Sequence, residues 1–185
     1  MIAILSPYEK CPVIVGENLK LRLVNINDAE DLLMCYSDQN ARLLFNSDNC
    51  INRFEYSTLD EMKKAIEFWI DEYKRKYYVR FSIVDQKSGH IIGTIEMFTK
   101  QANDEATTIG VLRIDIQSSF ESEEVLDELV QLIEANFPKY FAFTAIVTKV
   151  VKIAEKRVKI FQNNGFAQLT NKNIVNFDDY YIKYH

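Results

Sequence analysis

Apolar residues along this chain follow two periods, and the switches between them mark the elements. Leu19-Lys20-Leu21-Arg22-Leu23 alternates strictly, as a half-buried strand does, and Gly16-Glu17-Asn18 before it reads as a turn. Residues 1 to 16 are apolar and broken by proline, which fits an N-terminal arm or a short edge strand. Asn27 or Asp28 then caps a helix carrying Ala29, Leu32, Leu33 and Tyr36 on one face and ending near Asp38. Thr58 and Glu61 form a capping box ahead of Leu59, Met62, Ile66, Trp69, Ile70 and Tyr73, a stripe at helical spacing that reads as core. Tyr78 to Val84 and Ile91 to Phe98 are strand-like runs joined by a turn at Gly89.

The stretch from Thr107 to Phe137 organises the rest. Ile109 and Val111 fall on odd positions and Leu112, Ile114 and Ile116 on even ones, so the buried face changes between residues 111 and 112. One inserted residue, a β-bulge, would restore a single face, and the expectation is therefore a bulged strand around 109–116. Val125, Leu126, Leu129, Val130, Leu132 and Ile133 follow at helical spacing, with Ser118 and Glu121 matching a capping box at the helix start. Phe141 to Thr148 is near-continuously apolar, as a buried strand is. Lys152 to Asn164 is a helix stopped by Gly165, and Phe166 to Leu169 and Tyr180 to Tyr184 read as closing strands. Strands and helices interleave, which predicts an α/β (α+β) domain over residues 1–185: one mixed, twisted sheet with helices on both faces.

Composition narrows the function. The 185 residues, 48% hydrophobic and 26% charged, suit one globular domain, and five glycines and three prolines leave little room for linkers. A net charge of −5 lacks the basic footprint that nucleic acids and anionic membranes require, and no run reaches membrane-spanning length. The odd, widely spaced Cys11, Cys35 and Cys50 indicate neither disulfides nor a thiolate metal site and fit a reducing, cytoplasmic setting without a signal peptide. His90 and His185 are the only histidines, so no metal centre is expected.

The strand and helix of 107–137, together with AEKRVKIFQNNGF from Ala154 to Phe166, resemble the GNAT family of acyl-CoA-dependent N-acetyltransferases over the C-terminal half. The resemblance implies acetyl-CoA as cofactor and a small-molecule or peptide amine as acceptor. It places Phe45, Asn46, Asp48 and Tyr56 in a wall of the acceptor site and sets pantetheine and thioester against strand amides, for which Ile114 and Ile116 are the candidates. The family's glycine-bearing pyrophosphate loop is here Glu121-Ser122-Glu123-Glu124-Val125-Leu126, without glycine and with three carboxylates. Such charges oppose a diphosphate, which points to Lys149 and Arg157, in the chain's dense basic cluster, as a re-routed cofactor site. Where the family's last helix carries Asn and a proton-donating Tyr, this chain has Ala154 and Phe161, leaving Tyr180 or Tyr181 as substitute acids. Glu96 and Asp115, on neighbouring strands, are the candidate general bases. The implied activity is acetyl transfer to a primary amine, and the alternative is a catalytically silent protein of that fold that binds a metabolite or a protein partner. An exposed strand edge would permit a homodimer.

Overall fold

The computed structural model describes residues 6–48, 50, 54–102 and 107–185. Strands β1 (Ile14–Val15) and β2 (Leu19–Leu23) lead to helices α1 (Ala29–Ser37), α2 (Gln39–Arg42) and α3 (Leu59–Lys74). Strands β3 (Val79–Asp85), β4 (Ile91–Gln101) and β5 (Thr108–Ile116) follow, then helix α4 (Glu123–Tyr140), strand β6 (Ala145–Lys149), helix α5 (Glu155–Asn163), and strands β7 (Ala167–Gln168) and β8 (Tyr180–Tyr184). They form one mixed sheet of order β1-β2-β3-β4-β5-β6-β8-β7, antiparallel except where α4 carries the chain across to lay β6 parallel to β5.

Alternation along β5 decides which helix covers which face. Leu112, Ile114 and Ile116 pack with Leu126, Leu129, Val130, Ile133 and Phe137 of α4 and Ile160 and Phe161 of α5. Asp115 points the other way, where its Oδ2 accepts a hydrogen bond from Tyr36 of α1. On that side α1 and α3 share a separate core of Leu32, Tyr36, Met62, Ile66 and Trp69. Helices thus lie on both faces, as the interleaved pattern requires.

The expected bulge is absent from the β4 pairing. The register of β5 on β4 runs without a break from Gly93↔Ile116 to Gln101↔Thr108, and the sheet's register shift lies instead between Ile83 and Val84. The parity change has another cause, two-sided burial. Ile109 and Val111 join Ala145, Val147, Tyr180 and Ile182 in a third cluster, while the even residues face α4. Gly93 lets the strands approach closely, for a Cβ there would lie 2.1 Å from the Asp115 carbonyl oxygen.

Helix α4 is tied down along its length. Glu128 accepts hydrogen bonds from the backbone N–H groups of Asn18 (2.8 Å) and Leu19 (3.0 Å) and from the Asn18 side chain (3.0 Å), fastening the β1–β2 turn to the helix. Its apolar side is anchored by Phe137, fully buried with ring centroids 5.4 Å from both Phe81 and Phe141. Phe137→Ala is therefore expected to cost about 3–5 kcal/mol, read as a lower urea midpoint at unchanged slope.

Candidate functional site

The candidate site begins where β5 and β6 part. Gln117 N donates to Ile92 O (2.9 Å) and Ala102 N to Thr107 O (2.8 Å), so the odd residues of β5 turn their backbone groups toward β4. Thr144 N donates to Thr108 O (2.8 Å), so the even residues turn theirs toward β6. The pairing with β6 ends at Leu112↔Thr148, and the N–H groups of Ile114 and Ile116 face the gap beyond. At its mouth is an open cleft of about 350 Å³ lined by Asn40, Leu44, Ser118, Glu121, Ile153, Ala154, Glu155 and Lys156.

The protein's own side chains occupy this gap. Arg157 of α5 donates through Nη1 to Ile114 O (2.8 Å) and through Nε and Nη2 to the two Glu121 oxygens (2.5 and 3.0 Å). Its side chain is only 3% exposed and that of Glu121 only 11%. Lys156 Nζ donates to the Glu121 carbonyl oxygen (2.9 Å), and Lys159 pairs with Glu123 in the first turn of α4. Ser122, not Ser118, caps α4, its Oγ accepting from Val125 N (3.3 Å), so the capping box expected of Ser118 and Glu121 is replaced by a fork between Glu121 and Arg157. Ala154 and Phe161 are both buried.

Lys149 and Arg157 are each engaged by a carboxylate of the protein itself. Lys149 donates to both carboxylate oxygens of Asp48 (2.8 and 2.9 Å), whereas Arg157 comes from the helix packed beside α4. Of the exposed lysines of α5, Lys159 is paired with Glu123 in the first turn of α4 and Lys156 with the Glu121 carbonyl, while Lys152, ahead of the helix, is 83% exposed and no nearer than 4.0 Å to Asp179.

On the opposite face Glu96, Asp115 and Tyr180 share a side of the sheet with a buried charge layer. Cross-strand register sets Arg80 beside Glu96 beside Arg113, and Ser82 beside Thr94 beside Asp115. Arg80 Nη2 donates to Glu96, and Nη1 reaches the hydroxyls of Tyr36 and Thr94 (3.0 Å each) and Asp115 Oδ2 (3.4 Å). Its guanidinium lies 4.2 Å from the Trp69 ring centroid. Arg113 Nη1 donates to the second Glu96 oxygen (2.9 Å) and Nη2 to Asp48 O (2.8 Å). Glu96 therefore answers two guanidinium groups, and Asp115, paired in the sequence with Arg113, is held instead by Arg80 and Tyr36.

Burial pushes the Asp115 carboxyl above the usual carboxylate range, against the pull of Arg80 and the Tyr36 hydrogen bond. Burial opposes the charge on Arg80, but Glu96, Tyr36 and Asp115 override it and leave its pKa above the ordinary arginine value. Asp115 Oδ1 and the Nε atoms of Arg80 and Arg113 are buried without partners. Tyr180 accepts from Asn46 Nδ2 (3.0 Å), and burial pushes its phenol up to about 12. Phe45 and Tyr56 stack edge-on to Tyr36, so the segment expected to form an acceptor wall does cover this face. Sequence reasoning missed Arg80 and Tyr36. Their signal was faint, a polar pair Arg80 and Ser82 at alternate positions of an apolar strand that becomes informative only once the hairpin register aligns it with Thr94 and Glu96.

Arg80→Ala leaves two carboxylates buried without their shared cation, with an expected cost of about 3–5 kcal/mol in chemical denaturation. Because the folded state raises the Asp115 pKa, it binds more protons than the unfolded chain between the two pKa values, and the penalty present above the raised pKa is relieved on acidification through it. The stability of the wild type relative to Asp115→Asn is therefore expected to rise as pH falls through the raised pKa, measured by urea midpoints across pH.

No family model and no curated protein matches this sequence. Solved structures match in shape. An acetyltransferase (GNAT family) from Bacillus anthracis superposes with a TM-score of 0.67 at 11% identity, covering 94% of this chain and 98% of that one. RimL, a ribosomal L7/L12 alpha-N-protein acetyltransferase in complex with coenzyme A, gives 0.69 at 13%, covering 94% and 98%. FdhC, a nucleotide-linked sugar GNAT, gives 0.65 at 19%, covering 93% and 89%. At these identities the likeness speaks for architecture alone, and by architecture this chain has the fold of the GNAT acetyltransferases.

Proposed function

We propose that this protein uses the acetyltransferase fold to bind a metabolite or a protein partner and does not pass acetyl groups through the position where the resemblance puts coenzyme A. The observation that carries this reading is the Arg157–Glu121 pair lodged against Ile114 O between β5 and β6. A pantetheine chain laid on the Ile114 and Ile116 amides would have to displace that buried guanidinium from the partly buried Glu121 carboxylate. Breaking one side of a buried pair costs about 3–5 kcal/mol, which corresponds to binding weaker by roughly 10²-fold to several thousandfold. A diphosphate would further meet the exposed carboxylates of Glu123 and Glu124 in the first turn of α4, a helix start already capped by Ser122.

The candidate bases support the same reading. Glu96 and Asp115 are 3% and 1% exposed and engaged by Arg80, so an incoming ammonium has no open path to either. The unpaired thiols of Cys11, Cys35 and Cys50 fit a reducing, cytoplasmic setting. Among the described residues no helix is long and apolar enough to cross a membrane.

A second reading, acetyl-CoA-dependent transfer to a small-molecule or peptide amine, is favoured by two features. The Ile114 and Ile116 N–H groups face the gap with the geometry to polarise a thioester carbonyl. The Tyr180 phenol, at about 12, stays protonated at neutral pH and is chemically able to return a proton to a departing thiolate. Thermal melting separates the readings, since ligand at a hundred times its Kd adds about 2.7 kcal/mol. Millimolar coenzyme A and acetyl-CoA are expected to leave the melting temperature unchanged. A rise of several degrees would overturn the binding-protein reading in favour of transfer.

A further inference from the structure

We infer that the Arg157–Glu121 pair is an autoinhibitory latch: it shuts a slot between β5 and β6, whose strand floor is intact, against the thioester arm of a nucleotide-linked ligand. The inference rests on the reading above and goes further, because a slot lost through degeneration of its floor and a slot blocked by one contact behave differently when the contact is removed.

The floor does not depend on the latch. The direction of the Ile114 and Ile116 amides is set by the pairing of β5 with β4, which runs on through Gly93↔Ile116 and Gln117 N to Ile92 O. The entry loop is likewise held from outside. Ser118 N donates to Asp38 Oδ2 (2.8 Å), and the same carboxylate's other oxygen caps α2 through Asn40 N and Ala41 N. Asp38 thereby fixes one rim of the slot whether or not Arg157 is present.

The latch is specific in geometry. Three donor atoms of Arg157 meet the two oxygens of Glu121 and Ile114 O, while Lys156 and Lys159, one residue before and two after, remain exposed on the same helix. Glu121 belongs both to this pair and to the wall of the solvent-open cleft of about 350 Å³, so the closing contact borders solvent. Apparent affinity for a slot ligand is the intrinsic affinity multiplied by the fraction of molecules with the latch open.

The test compares wild-type protein with Glu121→Ala/Arg157→Ala by calorimetric titration of coenzyme A. The double variant removes both charges together, so neither is left buried alone. An increase in affinity of about 10²-fold over wild type is the expected result. A folded double variant with wild-type affinity overturns the latch and leaves the binding-protein reading in place. Tight binding by the wild type overturns that reading, and the latch is then judged on whether the double variant binds at least tenfold tighter. Should the double variant fail to fold, Glu121→Gln keeps the shape and weakens the contact, and amide hydrogen exchange at Ile114 and Ile116 is expected to quicken. Exchange at the wild-type rate overturns the latch.

Discussion

A strand that leaves its neighbour exposes backbone groups that must be satisfied before they can be buried. In this chain β5 leaves β6 after Leu112, and the carbonyl of Ile114 is answered by a guanidinium instead of a ladder partner. Arg157 serves here because its planar fork reaches a carbonyl and both oxygens of a carboxylate at once. Glu121 makes the burial of that charge tolerable, and the chain path from β5 through the Ser118–Phe120 turn into α4 serves to deliver Glu121 there. The acidic loop, incongruous as a phosphate cradle, is coherent as the counter-charge of an internal arginine.

The second constraint is the charge layer under α1 and α3. Arg80 and Arg113 are interleaved with Glu96 and Asp115, yet three of their polar atoms have no partner. Networks left partly unsatisfied are costly compared with apolar packing. What this one supplies is alignment. Arg80 reads Tyr36 of α1, lies over Trp69 of α3 and ties β3 to β4 and β5, so two helices and three strands are registered by a single side chain. The same layer fills the face on which an acceptor amine would need room beside Glu96 and Asp115.

How much of this the sequence disclosed depended on the range of each interaction. The strand at 19–23, the capped helix at 59–74 and the order of elements were legible because caps and periodicity are local signals. The parity change at Val111 and Leu112 was visible but misread, since a strand buried on both faces and a bulged strand leave the same trace in one dimension. The boundary of β6 was also misplaced: Phe141 belongs to the end of α4, and the strand starts at Ala145. Glu96 and Asp115 stand out in the sequence as candidate bases, but Arg80, which engages both, lies sixteen and thirty-five residues away on another strand. Likewise Glu121 and Arg157 each had a satisfactory local explanation, and only the fold brings them together.

The tethering of α4 sets how this molecule is able to breathe. Glu128 holds the helix to the β1–β2 turn on one side, while Glu123 and Asp127 hold it to Lys159 of α5 and to Asn164 just past its end on the other. Swinging either helix away from the other breaks these contacts. A rotamer hop of one long side chain between the parted strands breaks none of them, an event confined to a few atoms that leaves the backbone frame where it stands.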